Sequence, residues 1–187
     1  MRDGSKFFSL KLDYGATYEQ IRRIRTHIRV EVRFVSPQMP VIYQPVQSLL
    51  GLTEGKNAEI ASMPFINPVE IAADKLSALS WRLLDEKEKQ DEPLIRHVHD
   101  LAALEPLVAE HESFPDLVRQ SILADQSRSE LSEEQQLDGI IAALQTPAWE
   151  NAYQLFVTDM SFARDDELIA YGKALEACER LIKLIRH

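Results

Sequence analysis

The feature that most restricts how this chain can fold is a change of hydrophobic period at Asn67. Ahead of it, apolar residues alternate every second position, which sends successive side chains to opposite faces of a strand. After it they recur every third or fourth position, as on one face of a helix. Such a chain is α+β, with its strands and helices segregated along the sequence. In Phe7 to Tyr14, Phe8, Leu10 and Leu12 share one face and Phe7, Ser9, Lys11 and Asp13 the other. In Ile28 to Val35, Ile28, Val30, Val32 and Phe34 oppose Arg29, Glu31, Arg33 and Val35. Residues 15–27 between them read as a polar connection, either a distorted helical turn or a hairpin arm. Two strands are marginal alone, and the later sequence offers no obvious partner beyond a short stretch, Ala58 to Phe65. Pro37, Pro40 and Pro45 break the intervening residues into extended segments.

Asn67, Pro68 and Glu70 form a helix start: an N-cap, a proline at the first helical position and a carboxylate at the third. The spacing predicts a helix to about Leu84, with Ala72, Leu76, Leu79 and Leu83 as its seam. After the charged run Asp85 to Glu92, a second helix spans about Leu94 to Glu110 and faces the core with Leu94, Val98, Leu101, Leu104 and Val108. A third starts at Ser113 with Asp116 three residues on, and a fourth at Ser132 with Gln135 likewise placed. Thr146 and Pro147 open a fifth, whose face is Trp149, Tyr153, Phe156 and Met160. The sixth, about Asp166 to Arg186, spaces Leu168, Tyr171, Leu175, Cys178, Ile182 and Ile185 by threes and fours. The division expected is a sheet region over 1–66 and a helical bundle over 67–187.

Hydrophobic residues at 45% and charged residues at 27% of the 187 fit a globular protein. A net charge of −9 argues against coating nucleic acid by bulk electrostatics. It leaves room for a local basic cleft, since Arg22, Arg23, Arg25, Arg29 and Arg33 crowd one stretch. A DNA-binding regulator fits this balance poorly. The single cysteine, Cys178, precludes an internal disulfide and every cysteine-rich zinc motif, and its apolar surroundings read as core. No stretch approaches the roughly 20 apolar residues of a membrane span, and no secretory leader is visible, so a cytoplasmic location is expected.

Three groups of residues have chemical potential. Glu31, in Val30-Glu31-Val32, projects to the same side of its strand as Arg29 and Arg33. Taken alone it reads as a solvent-facing carboxylate steadied by its arginine neighbours. Lys75 lies one step round from the seam residues Ala72 and Leu76, where its ammonium either reaches solvent or meets a phosphate. In Arg96-His97-Val98-His99-Asp100-Leu101, Arg96 and Asp100 are four apart and able to pair on one face. Asp100 adjoins the seam residue Leu101, where a carboxylate is rarely put without a partner. It reads also as half of an ion pair locking this helix to the one that carries Lys75. His97 and His99, two apart, do not share a helical face, which disfavours a zinc site.

In this order, Arg-Val-Glu-Val, a proline-rich stretch, Pro-x-Glu-x-x-x-x-Lys-Leu-x-Ala-Leu, a charged loop and Arg-His-x-x-Asp-Leu resemble the AbiEii/AbiGii family of nucleotidyltransferases, toxin halves of bacterial toxin–antitoxin and phage-defence pairs. The resemblance covers roughly Ile28 to Leu104. It implies a polymerase-β-like nucleotidyltransferase sheet, here a remnant, followed by a helical bundle. It implies Glu31 as a metal-holding strand carboxylate, Lys75 and Arg96 as phosphate contacts, and Lys75 and Asp100 as the catalytic residues. Mg²⁺ as cofactor, an NTP donor, RNA such as tRNA as acceptor and a cognate antitoxin are implied likewise. His97 stands where many relatives carry Asp. The family's first motif, Gly-Ser followed at a distance by Asp-x-Asp, is only echoed by Gly4-Ser5 and Asp13, because Tyr14-Gly15 supplies no second carboxylate. An incomplete active site, with the missing part ahead of Met1, is therefore expected. The competing reading is a non-catalytic scaffold or degenerate toxin, in which Lys75, Arg96 and Asp100 are structural.

Overall fold

The alternating segments pair with each other. β1 (Phe7–Asp13) runs antiparallel to β2 (His27–Arg33) in the computed structural model, which describes residues 7–13, 27–84, 94–160 and 168–186. The register sets Phe8 opposite Val32, Leu10 opposite Val30 and Leu12 opposite Ile28. The two alternating apolar rows thus meet across one ladder, which is what stabilises a strand pair. Phe8 is half-buried, its ring 5.9 Å from that of Phe34, whereas Leu10, Leu12 and Ile28 are at least half exposed. The polar connection read over 15–27 falls almost wholly outside the described residues.

The stretch expected as a later strand, Ala58 to Phe65, does not join β1 and β2. As β4 (Ile60–Phe65) it pairs antiparallel with β3 (Ile42–Val46), a strand that the prolines hid from the sequence reading. The ladder is irregular between Gln44 and Val46. Pro45, between them, has no N–H to donate. A short helix, α1 (Leu49–Thr53), lies between these strands and was not anticipated. Ser48 caps it through Gly51 N–H, and Glu59 accepts from the Ser48 backbone N–H at 2.8 Å. Gly55 turns the chain at φ 66°, a conformation that favours glycine.

Two compact units are present, Met1–Pro37 and Gln38–His187. The second holds the core. α2 (Pro68–Arg82) packs on α3 (Ile95–Val108) and α4 (Phe114–Asp125), followed by a 3-10 turn at Gln126–Arg128. α5 (Glu133–Leu144), α6 (Pro147–Met160) and α7 (Tyr171–Ile185) complete it, with α7 laid along α3. The predicted seams are the buried ones: Ala72, Leu76, Leu79 and Leu83 of the α2 segment, and Leu94, Val98, Leu101 and Val108 of the α3 segment, are all at most 1% exposed. Asn67 caps α2 through Val69 N–H, and Ser132 with Gln135 forms both hydrogen bonds of a capping box at α5.

Two details differ from the sequence reading. The hydroxyl of Ser113 makes no capping bond, although α4 begins directly after it. Among the described residues the last helix begins at Tyr171, after a non-helical stretch at 168–170, and Leu168 is 39% exposed instead of continuing the seam; the expected start at Asp166 lies outside the described residues. The reason is a tertiary bond: Tyr153 Oη donates to the Ile169 carbonyl at 2.9 Å, and Ala170 is extended. The chain therefore enters α7 from a segment held straight.

Polar cross-links tie α2 to its neighbours. Ser77 meets Asp125, Ser121 meets Asp74 and Ser80 meets Gln136, each at 2.9–3.1 Å. Glu70, 7% exposed, accepts from the backbone N–H groups of Gln38 (3.0 Å) and Met39 (3.1 Å). The carboxylate in the first turn of α2 is thus a latch on the chain that leads into the unit. Among the described residues, no helix is long and apolar enough to cross a membrane.

Candidate functional site

The centre of the site is where α2 and α3 face each other. Lys75 sits at the border of the α2 seam, with its side chain 23% exposed. Its Nζ donates to Asp100 Oδ2 at 2.6 Å. Burial of Asp100 pushes its carboxyl pKa up, but contacts with His99 and then Lys75 outweigh it and hold the value at about 2. A group that titrates so low stays ionised through the neutral range and is a poor proton acceptor there. What the contact can do is orient the ammonium. Lys75 has three N–H donors, and a geometry that engages one of them with Asp100 leaves others for an anion.

Arg96 lies one turn before Asp100 on α3 and is half-buried. The pairing of Arg96 with Asp100 that their spacing allowed is not formed. Asp100 pairs across the helix interface with Lys75, the alternative that the sequence also offered. Arg96 belongs instead to a positive cluster around His97, together with Lys75 and Arg82. Burial, followed by these cations, lowers the His97 pKa to about 4 against the opposing pull of Asp100, so its imidazole is uncharged at neutral pH. His97 Nδ1 is buried with no hydrogen-bond partner among the described residues. Within an acidic chain this is a local concentration of positive charge.

His99 turns to the other side of Asp100, its Nδ1 3.9 Å from Oδ1. Its ring packs on Tyr153 and Phe156 of α6, at centroid distances of 6.0 and 5.4 Å. Trp81, on α2, has the Arg128 guanidinium over its ring at 5.0 Å and that of Arg82 at 5.9 Å. Cys178 is fully buried, and burial pushes its thiol up to about 12.

Glu31 lies in the other unit, on β2 opposite Ser9. Its side chain is 50% exposed and meets Arg29 Nη1 at 3.4 Å, as the arginine-neighbour reading expected. The structure therefore unites Lys75, Asp100 and the surroundings of Arg96, while Glu31 stands in a separate unit. Mg²⁺ seeks near-octahedral oxygen, commonly one or two carboxylates completed by water and phosphates. Among the described residues, no group of three or more His, Cys, Asp or Glu is placed to hold a metal, and Glu31 is engaged by a cation. These residues do not by themselves compose a Mg²⁺ site. Gly4-Ser5 and Tyr14-Gly15 lie outside the described residues.

Sequence reading missed three contributors. Glu70 is legible as a helix-start carboxylate and as the Glu of the Pro-x-Glu motif, but not as a latch, since a partner more than thirty residues away leaves no local signal. His99 was weighed only as a metal ligand, and its neighbours Tyr153 and Phe156 only as core. Arg82, two helical turns beyond Lys75 in a seven-residue step, could have been found from that spacing.

The family model described as Nucleotidyl transferase AbiEii toxin, Type IV TA system, matches residues 2–178. That is well beyond the stretch from Ile28 to Leu104 whose motifs carry the resemblance. No curated protein and no solved structure matches the chain. With nearly the whole sequence matched, and Glu31, Lys75, Arg96 and Asp100 all inside the match, the chain belongs to the AbiEii nucleotidyl transferase toxin family.

Proposed function

We propose that the protein acts in nucleotidyl transfer, moving NMP from an NTP to an acceptor such as RNA, tRNA included, as the toxin of a cytoplasmic toxin–antitoxin or phage-defence pair with a cognate antitoxin. The observation that carries this reading is the Lys75–Asp100 contact of 2.6 Å at the partly exposed edge of the α2–α3 seam, with Arg96 one turn away. In the reaction, an acceptor hydroxyl oxygen attacks the α-phosphorus and gives up its proton to solvent, while the α–β bridging bond breaks and pyrophosphate leaves. Lys75 and Arg96 offset the negative charge of the triphosphate, which gains value as charge builds on the leaving group. Asp100 orients Lys75. Residues 1–66 serve as the C-terminal part of a nucleotidyltransferase sheet region and 67–187 as the helical bundle. Mg²⁺ is the divalent cofactor of this reading, with Glu31 as one metal-side carboxylate.

The test is transfer of label from each α-labelled NTP to tRNA and total RNA with Mg²⁺ present. Labelling is expected for the wild type, with a drop of about 10²-fold or more in folded Lys75→Ala and Asp100→Ala variants. Wild-type labelling in a well-folded double variant would sink the assignment. A second reading is supported by the same contact, because Lys75–Asp100 also suits a structural lock between α2 and α3 in a non-catalytic scaffold. Absence of both labelling and NTP binding by the wild type selects that reading.

A further inference from the structure

We infer that His99 is a positioning residue of this site: it carries its proton on Nδ1, presents that N–H to Asp100, and so holds the carboxylate in line with Lys75. The consequence for transfer rests on the nucleotidyltransferase reading, whereas the geometry does not. Asp100 has two oxygens to be oriented. Oδ2 is taken by Lys75 at 2.6 Å, and Oδ1 is faced by His99 Nδ1 at 3.9 Å. That distance is ion-pair range, longer than a hydrogen bond, so the contact as it stands is electrostatic, and a hydrogen bond needs the imidazole to approach by about 1 Å.

The imidazole is fixed from behind. Phe156 meets it edge-on, with ring planes at 72°, and Tyr153 leans on it from one turn earlier in α6. Tyr153 is itself pinned, its hydroxyl to the Ile169 carbonyl and its ring against Tyr171 at 5.1 Å. Tyr171 in turn donates to the Leu144 carbonyl at 2.6 Å. The entry to α7 and the end of α5 thereby set the place of a ring on α3.

The same packing selects the tautomer. His99 Nε2 is buried with no hydrogen-bond partner among the described residues. A proton there would be an N–H without an acceptor, while the Nδ1 lone pair would point at an anionic oxygen; both cost free energy. A proton on Nδ1 removes both penalties. The charged and titratable groups around Asp100 are Lys75 from α2, Arg96, His97 and His99 from α3, and Tyr153 from α6, with Cys178 of α7 behind Tyr153. Burial pushes the Tyr153 phenol up and the Cys178 thiol to about 12, so neither competes as an anion at neutral pH. The low titration of Asp100, with the His99 contact foremost among the causes that lower it, agrees with this placement.

The experiment is side-chain NMR on the full chain. Nitrogen-15 shifts of His99 report the tautomer, and carbon-13 titration of the Asp100 carboxyl reports its environment, in the wild type, His99→Phe and His99→Asn. Phe keeps the ring between Tyr153 and Phe156 but has no donor, whereas Asn keeps a donor close to the Nδ1 position. The expected results are a protonated Nδ1 with an unprotonated Nε2. The Asp100 midpoint in His99→Phe should move from about 2 toward its ordinary 3.8, and His99→Asn should keep it low. Where the wild type transfers nucleotide, His99→Phe lowers kcat more than it changes KM for NTP, and His99→Asn recovers part of the loss. A protonated Nε2, an unmoved Asp100 midpoint in His99→Phe, or a kcat loss without that movement overturns the inference. A chain that transfers nothing but passes both NMR tests overturns the nucleotidyltransferase reading alone.

Discussion

A double-mutant cycle on Lys75 and Asp100 tests whether their contact acts as an ion pair in the folded protein. The magnitude follows from the structure. Asp100 titrates at about 2 in place of 3.8, which at about 1.36 kcal/mol per pH unit is roughly 2.4 kcal/mol in total. Its side chain is 40% exposed, so solvent screening reduces this to about 1–1.5 kcal/mol, shared between His99 and Lys75. The Lys75 share is then about 0.5–1 kcal/mol, well short of the 3–5 kcal/mol seen when one member of a fully buried pair is removed. Lys75→Met, Asp100→Asn and the double variant are unfolded in urea and followed by tryptophan fluorescence, since Trp81 and Trp149 both lie in helices of this unit. The folded carboxyl titrates below the unfolded one. Its stabilisation is therefore complete above about pH 4 and is lost as pH falls from 3.8 toward about 2. The coupling is expected to be equal at about pH 7 and 5 and smaller at about pH 3. A coupling below about 0.3 kcal/mol at neutral pH, or one that grows on acidification, refutes the reasoning.

Glu70→Gln keeps the shape of the latch but replaces two charge-assisted bonds by neutral ones, and a loss of about 1–2 kcal/mol is expected with faster exchange of the Gln38 and Met39 amides. Unchanged exchange at those two amides would remove the latch. Cys178 is expected to resist thiol reagents in the native state, because the thiol is buried and its pKa is pushed up to about 12. Its labelling should track urea unfolding, so rapid labelling of the native protein at mildly alkaline pH would contradict its placement in the core.

Legibility varied with how local each signal was. The cap at Asn67, the capping box at Ser132 and the helical seams were readable because each depends on residues within a turn or two. β3 escaped notice because Pro40 and Pro45 disguise a strand of five residues whose pairing lies with β4, beyond the helix α1. The delayed start of α7 escaped for a different reason. A local pattern continues through Leu168, but a hydroxyl from α6 captures the Ile169 carbonyl and holds the chain extended. In the candidate site, the identities of Lys75 and Asp100 stood out by motif, while the choice of Asp100's partner did not. Spacing allowed Arg96 four residues away, and packing of α2 on α3 brought Lys75 instead.

By itself, then, the sequence determined the α+β class, the helix start at Asn67, the apolar faces of the helices and the family, because periodicity and motif spacing are properties of the chain. Tertiary structure alone decided that β1 and β2 partner each other, that β4 joins β3, that Glu70 reaches back to Gln38 and Met39, and that His99 stands behind Asp100. Each of these is a contact between residues far apart in sequence or a choice among several local geometries. Such choices are settled by which surfaces pack and which buried polar atoms find partners.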